Sequence, residues 1–514
     1  MKQQLLAGML LLSSGLFAQD ETAVKYAATV TAADLKTHLT IVAGKEMEGR
    51  ETATEGQRKA AAYIENHFKS LGLKPGNGSS YQQMYPVYQD QLTEKKLSVN
   101  GRMFEWDKDF SMNLQSATSI FQQSAANGSW ITTETVFVGY GIVDSANNDY
   151  KGLDVKGKIV VVLEGTRGQG NAANLLNSPT SLNGKINAAR NNGAIGLLLV
   201  SKDFPKRNAS PVTGPMYFTK QATAANNFIT VNISEAVASA LLGRTSIQNS
   251  TSLLESKKAT YKAELKLVAK KETLNLESSN VLGVIEGTDK KDEYLFITAH
   301  YDHLGKRDTV IYYGADDDGS GTVSVLELAE AFMQAKKKGK GPRRTIVFMT
   351  VSGEEKGLRG SAYYGNNPTY PLAKTTANLN IDMVGRIDPS YKGDSTNYVY
   401  VIGEDKLSSD LMKITDAVNN KFIKMELDRR YNDPKDPNRF YYRSDHYNFA
   451  AKGVPIIFYF NGVHRDYHRP TDTVDKINFD VMEKRARLIF HTAWEMANRD
   501  EMLKRDMPLN MPPR

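Results

Sequence analysis

From residue 280 onward the chain keeps one rhythm: a short apolar run, a loop, then a long amphipathic run. Six runs read as strands, at 281–285, 294–299, 345–351, 377–381, 398–402 and 454–460, and three as helices, at 322–337, 408–420 and 479–504. Strands alternating with helices at this spacing predict an α/β fold, a mixed and mostly parallel sheet with helices on both faces. Ligands of such sheets bind beyond the carboxyl ends of the strands. The loops after these runs are therefore where chemistry is expected.

The rest of the chain is arranged around that rhythm. Residues 1–18 place Lys2 ahead of a short apolar run from Leu5 to Leu12 and end on Ala18, the pattern of a cleaved export leader. The run is too short to span a bilayer, so no stable membrane insertion is expected. Thr54 and Gln57 form a capping box, followed by Ala60, Ala61, Ile64, Phe68 and Leu71 on one helical face and Gly72 at its end. Short strand runs at 136–143, 158–163 and 195–200, with a small helix at 186–192, have a different texture and read as a small inserted α/β module. The domain plan is a leader (1–18), a first core segment (19–105), the insertion (106–275), a second core segment (276–505) and a Pro-containing tail without packed structure (506–514).

Composition narrows the chemistry. The 514 residues include no cysteine, which excludes disulfides, thiolate metal sites and a cysteine nucleophile. The net charge of +7 is mild for this length. The densest basic run, 336–344, mixes in Gly and Pro and reads as a solvated loop, so no nucleic-acid partner is expected. A transition metal would have to be held by carboxylates and by some of the 8 histidines. Five of these, His300, His303, His446, His464 and His468, share one interval with four acid-rich turns.

The first motif of that interval is AHYDHLG, where His300 and Asp302 lie two apart at a strand end and point the same way. A metal-bound His commonly donates its second ring N–H to a carboxylate, a part open to Asp302. GADDDGSG follows, and its run Asp316, Asp317, Asp318 is self-repelling unless a cation offsets it. Helix capping accounts for one of the three acids. In GEEKG, Glu354 and Glu355 diverge, so one can bind metal while its neighbour faces substrate or water. Asp382 ends a hydrophobic run, where a carboxylate is costly unless paired or bound. The loop HRDYHRPTDT adds His464, Asp466, His468 and Asp472. Together these form an N/O donor set suited to zinc, with two metals if one carboxylate bridges them.

In this order the motifs AHYDHLG, GADDDGSG, GEEKGLRGSAYY, NIDMVG and DYHRPTDT resemble the co-catalytic di-zinc aminopeptidases, whose relatives include glutamate carboxypeptidases. The segments VFVGYGIV, VKGKIVVVLEG and KINAARNNGAIGLLLVS resemble a protease-associated domain. The resemblance implies a zinc exopeptidase fold with two Zn²⁺, Mn²⁺ or Co²⁺ serving as alternatives. It implies His300 and Asp382 on one metal, Glu355 and His468 on the other, and Asp316 bridging, with a cis Asp316–Asp317 peptide. Glu354 is then the general base, Asp302 the partner that orients His300, and Tyr467 the stabiliser of the oxyanion. The implied substrates are peptide or protein N-termini. A carboxypeptidase, dipeptidase or dipeptidyl-peptidase of the same fold, with Arg386, Arg439 or Arg443 receiving a carboxylate, and a non-catalytic peptide-binding protein are the alternatives.

Overall fold

A computed structural model describes residues 20–112, 114, 127–166, 178–220, 228–244, 253 and 256–512. The leader expected at 1–18 lies outside them. The chain divides into two compact units, one of Met1–Tyr85 with Glu277–Arg514 and one of Pro86–Leu276. The second unit thus begins at Pro86, ahead of the 106 expected. The cause is local: the boundary falls inside a continuous extended run, Gln82–Val99, with no loop to mark it.

The first unit is built on a sheet whose inner strands are Arg344–Val351, Lys290–His300, Thr375–Ile381 and Ile456–Phe460, all parallel. Tyr398–Ile402 runs antiparallel to Ile456–Phe460, and Val281–Ile285 antiparallel to Arg344–Val351. Successive side chains on these strands enter different cores. Leu295, Ile297, Ala299, Ile346, Phe348, Leu379 and Tyr459 pack under the helices Ala32–Val42, Glu55–Leu71, Gly321–Lys337 and Phe479–Asn498. Phe296, Val347, Met349, Tyr400, Phe458 and Phe460 pack into an aromatic-rich cluster on the other face. Burial on both faces is why the sequence shows unbroken apolar runs here rather than an apolar–polar alternation.

Chain tracing places the site. From Lys290–His300 the chain crosses through the helix Gly321–Lys337 to Arg344–Val351 on one side. It returns through Arg359–Asn366 to Thr375–Ile381 on the other side. His300 therefore ends the strand at which the connections reverse, the position where an α/β sheet opens a crevice.

The second unit carries a parallel set, Gly128–Phe137, Ile159–Leu163, Gly196–Val200 and Ile229–Ile233, with helices Leu182–Asn191 and Glu235–Leu241. The strand expected at 136–143 starts earlier and stops at Phe137, because Gly139 (φ 75°) and Gly141 (φ 67°) turn the chain. No histidine falls between residues 86 and 276.

Three further expectations are corrected. The last helix ends at Asn498, six residues early, where Arg499 turns extended (ψ 157°). The 336–344 run is not wholly solvated: Arg344 is fully buried, pairs with Glu293 and donates to the carbonyls of Met496, Arg499 and Asp500. The tail, though mostly exposed, is not without packing: Leu509 and Met511 rest partly buried against the aromatic cluster and Asp506 accepts from the Ser409 N–H. Among the described residues no helix is long and apolar enough to cross a membrane.

One buried ion pair outside the crevice makes stability pH-dependent. Glu404 is fully buried beside Arg429, one of its oxygens has no hydrogen-bond partner, and burial raises its carboxyl to about 7 against the opposing arginine. A folded-state pKa above the unfolded value means that the native state holds the proton more tightly. Its stabilising contribution is present below about 4.5 and is lost as pH rises through about 7. We expect the melting temperature of wild type relative to Glu404→Gln to fall across that window; a difference that does not change with pH contradicts the account.

Candidate active site

The crevice collects residues from the carboxyl ends of all four parallel strands. His300 ends its strand, Glu354 and Glu355 follow Val351, Asp382 follows Ile381, and His464 to His468 follow Phe460. The acid turn is seated between them. A buried arginine, Arg50, holds this frame by donating to the carbonyl oxygens of Val42, Tyr301, Tyr313 and Gly314 at 2.7–2.9 Å. Gly314 is left-handed (φ 55°), and a Cβ there would lie 2.3 Å from the Asp317 carbonyl and 2.5 Å from the His303 ring, so no other residue fits.

The three acids of the turn do three different things. Asp316 accepts from the Gly385 N–H at 2.7 Å and Ser320 Oγ at 3.0 Å, and its second oxygen lies 3.1 Å from His464 Nε2. Asp318 accepts from the backbone N–H of His300, Gly321 and Met383. Asp317 alone enters the crevice. Its Oδ1 lies 3.3 Å from His300 Nε2, and its Oδ2 lies 3.1 Å from His468 Nε2 and 3.8 Å from His303 Nδ1. Asp316, expected to bridge, thus faces the fold while Asp317 faces the crevice, and the cis peptide is Asp317–Asp318 rather than Asp316–Asp317. The reason is the backbone: Asp317 (φ −100°, ψ 99°) and Asp318 (φ −115°, ψ 49°) depart from helix, so consecutive carboxylates diverge.

Two donor groups share Asp317. His300, Asp317 and Asp382 form one, with His300 Nε2 3.6 Å from Asp382 Oδ1. His303, Asp317 and Glu355 form the other, with His303 Nδ1 2.8 Å from Glu355 Oε1. His468 Nε2 reaches the same pair of carboxylates, 3.2 Å from Glu355 Oε2. The expected residues His300, Glu355, Asp382 and His468 are therefore brought together with Asp317. His303 is an addition that the motif offered three residues after His300. His446 is elsewhere, stacked on Phe458 with Nε2 2.8 Å from the Tyr441 carbonyl.

The donor set fits a divalent cation. The Asp317 Oδ2, Glu355 Oε1 and His303 ring nitrogens are buried without hydrogen-bond partners, although they converge. Carboxylates crowd the imidazoles: burial lowers the His300 ring, but Asp382 and Glu354 more than reverse this and hold it well above its usual range. His468 is held up to about 10, against burial, by Asp317 and Glu355. Imidazolium here offsets the charge that a metal would neutralise.

Around this cluster the roles divide. Glu354 Oε2 lies 3.9 Å from His300 Nε2, and burial, joined by Glu355 and Asp382, pushes its carboxyl well above the usual range against His300. Asp302 was expected to hold His300 through its carboxylate. Its backbone carbonyl is nearer to His300 Nδ1, at 3.0 Å against 3.7 Å for Oδ1. The carboxylate instead accepts from the Glu354 N–H and from Thr52 Oγ1, linking the two halves of the unit. Tyr467 stacks on His468 at 3.9 Å, and its hydroxyl accepts from Arg443 at 3.1 Å. A pocket opens from His300, Asp317, Glu354 and Asp382 onto Met383, Phe440, Phe458, Phe460 and Val463.

Parts of the chain are similar to known proteins. Residues 280–493 match Peptidase family M28, and residues 131–241 match the PA domain. A probable leucine aminopeptidase 1 of Trichophyton verrucosum is 29% identical over 234 residues, 43% of this chain and 59% of that protein. The chain thus spans about three fifths of the length of the curated relatives it matches. Two solved structures share the fold. An aminopeptidase from Aneurinibacillus sp. strain AM-1 has a TM-score of 0.53 at 20% identity, covering 96% of this chain and 100% of that one. A zinc aminopeptidase from Bacillus subtilis has a TM-score of 0.51 at 18% identity, covering 93% and 98%. With its crevice on the matched strands, the chain carries a domain of peptidase family M28 together with a PA domain.

Proposed function

We propose that this protein is an exported metallo-aminopeptidase that hydrolyses N-terminal residues from peptides with two zinc ions and a glutamate base. The observation that carries the reading is one buried carboxylate, Asp317, shared by two donor groups with Glu354 beside it. His300, Asp317 and Asp382 would hold one ion, and Asp317, Glu355 and His468 the other, with His303 Nδ1 2.8 Å from the second oxygen of Glu355. Mn²⁺ or Co²⁺ would suit the same donors. Bound metal supplies a Lewis acid that polarises the scissile carbonyl and acidifies water.

The chain's own groups do the rest. Glu354 takes the proton of the attacking water as its oxygen joins the carbonyl carbon. It then gives that proton to the amine nitrogen as the C–N bond breaks. A buried carboxyl with a raised pKa suits both steps, since a base nearer neutrality is also a competent acid. Tyr467, whose hydroxyl accepts from Arg443, would donate that hydroxyl to the developing oxyanion.

The choice of a free amine over a carboxylate rests on the leucine aminopeptidase named among the relatives, since the metal ions would neutralise Asp317 and Asp382. Arg386 is committed to Asp466 at 3.0 Å and faces Asp472 at 3.8 Å, Arg439 lies over the Tyr442 ring at 4.7 Å, and Arg443 is the arginine that lines the pocket. Three acids, Asp317, Glu354 and Asp382, line it as well. The apolar wall from Met383 to Val463 suits an aliphatic side chain, in keeping with the leucine aminopeptidase named among the relatives. We expect Val463→Asp to lower kcat/KM for an N-terminal Leu substrate about 10- to 200-fold, with a smaller loss for Ala. Equal losses for both would remove Val463 from the specificity pocket. Export is proposed from the leader pattern in residues 1–18.

The deciding assay is a panel of aminoacyl, dipeptidyl and N-blocked peptides with and without chelator. Chelator-sensitive cleavage of free N-terminal residues supports the proposal. Cleavage of N-blocked peptides from the C-terminal end would replace it with the carboxypeptidase reading through Arg443.

A further inference from the structure

A second group of metal-type donors lies among the helices of the first unit. His38 is on Ala32–Val42, His67 on Glu55–Leu71, and Glu327 and Glu330 on Gly321–Lys337. One ligand atom from each of His38, His67 and Glu330 falls within 4.8 Å of the other two. The two imidazoles meet edge to face, with centroids 4.6 Å apart. None of these residues belongs to the crevice. Glu330 is nine residues along its helix from Gly321, about 14 Å at 1.5 Å per residue.

Hydrogen bonding within the group leaves an unexplained remainder. His38 Nδ1 is taken by the Tyr63 hydroxyl at 2.6 Å, which fixes the ring and turns Nε2 inward. Glu327 is 2% exposed, and its Oε1 lies 3.3 Å from that Nε2 with no hydrogen bond of good geometry. His67 Nε2 is also buried without a partner. An imidazole nitrogen and a carboxylate oxygen buried this way are costly as they stand. A cation held among His38, His67 and Glu330 would satisfy the imidazole nitrogen, with Glu327 beside His38 at its edge. The pattern of a ligating His whose other nitrogen is held by an outer partner is how such sites fix ring orientation.

We infer that His38, His67 and Glu330, supported by Glu327, form a further divalent metal site that ties three helices together. Two imidazoles and a carboxylate select a borderline ion of the zinc class over Ca²⁺ or Mg²⁺. Tetrahedral zinc places its ligand atoms about 3.3 Å apart, so the group would close by side-chain rotation. The ion's part would be to hold the helix that leads out of the acid turn, and it does not depend on the peptidase reading.

The test is zinc content. Full-length protein loaded with Zn²⁺ and desalted is compared by elemental analysis with His67→Ala and Glu330→Gln. Each variant is expected to hold one zinc fewer per chain than wild type, melt several degrees lower in zinc, and keep turnover within about twofold. Asp317→Ala should lose zinc from the crevice and retain this one. Equal zinc in wild type and in folded Glu330→Gln and His67→Ala overturns the inference. So does zinc that disappears entirely with Asp317→Ala. Glu330 is partly exposed, so Glu330→Gln remains informative where His67→Ala fails to fold.

Discussion

Replacing Glu354 by Gln is expected to lower kcat by about 10²–10⁴-fold while leaving the metal content unchanged. The substitution keeps the shape of the side chain and its place near His300, but it removes the oxygen that accepts and returns a proton. Metal analysis beside steady-state kinetics separates the readings. Loss of metal with loss of activity would mean that Glu354 is a ligand and Glu355 the base. Geometry argues against that exchange: Glu355 lies against His303 and His468, whereas Glu354 has only a 3.9 Å approach to His300. Raised metal concentrations should not rescue the variant.

Asp317→Ala is expected to remove at least one metal and to reduce turnover at least as far as Glu354→Gln. It deletes the carboxylate common to both donor groups, so neither keeps its three donors. The matched control is Asp316→Asn. Asp316 accepts two hydrogen bonds and faces His464, all within the fold. Its substitution should cost about 1–3 kcal/mol of stability and leave the metal in place. Measured by elemental analysis and thermal melts, the reverse pattern, metal lost from Asp316→Asn and kept in Asp317→Ala, would return the bridge to Asp316.

These two variants mark where the sequence was readable and where it was not. The strands were legible because both faces are buried: Tyr398–Ile402 coincides with its expected bounds, Arg344–Val351 extends its own by one residue and Lys290–His300 by five. The motifs led to the crevice because each ends a strand, and strand ends converge in a parallel sheet. The acid run was harder to read. Three identical side chains in succession carry no sign of which one turns inward, and that choice rests on two non-helical residues inside the turn. His303 shared its motif with His300, yet only the fold carries it across to Glu355. Asp302 illustrates a related limit, since spacing placed its carboxylate by His300 while the backbone supplied a carbonyl instead.

The four bonds of Arg50 have a consequence for synthesis. Its partners at Tyr301, Tyr313 and Gly314 are 251–264 residues further along, beyond the whole of Pro86–Leu276. As the chain is made from its N-terminus, the segment bearing Arg50 emerges long before the carbonyls it must meet, whereas the Pro86–Leu276 unit is contiguous in sequence. That unit can close while the first is still half made. His468 is among the last residues of the crevice to be translated, so nascent chains shorter than this should fold the Pro86–Leu276 unit and yet hold an incomplete crevice.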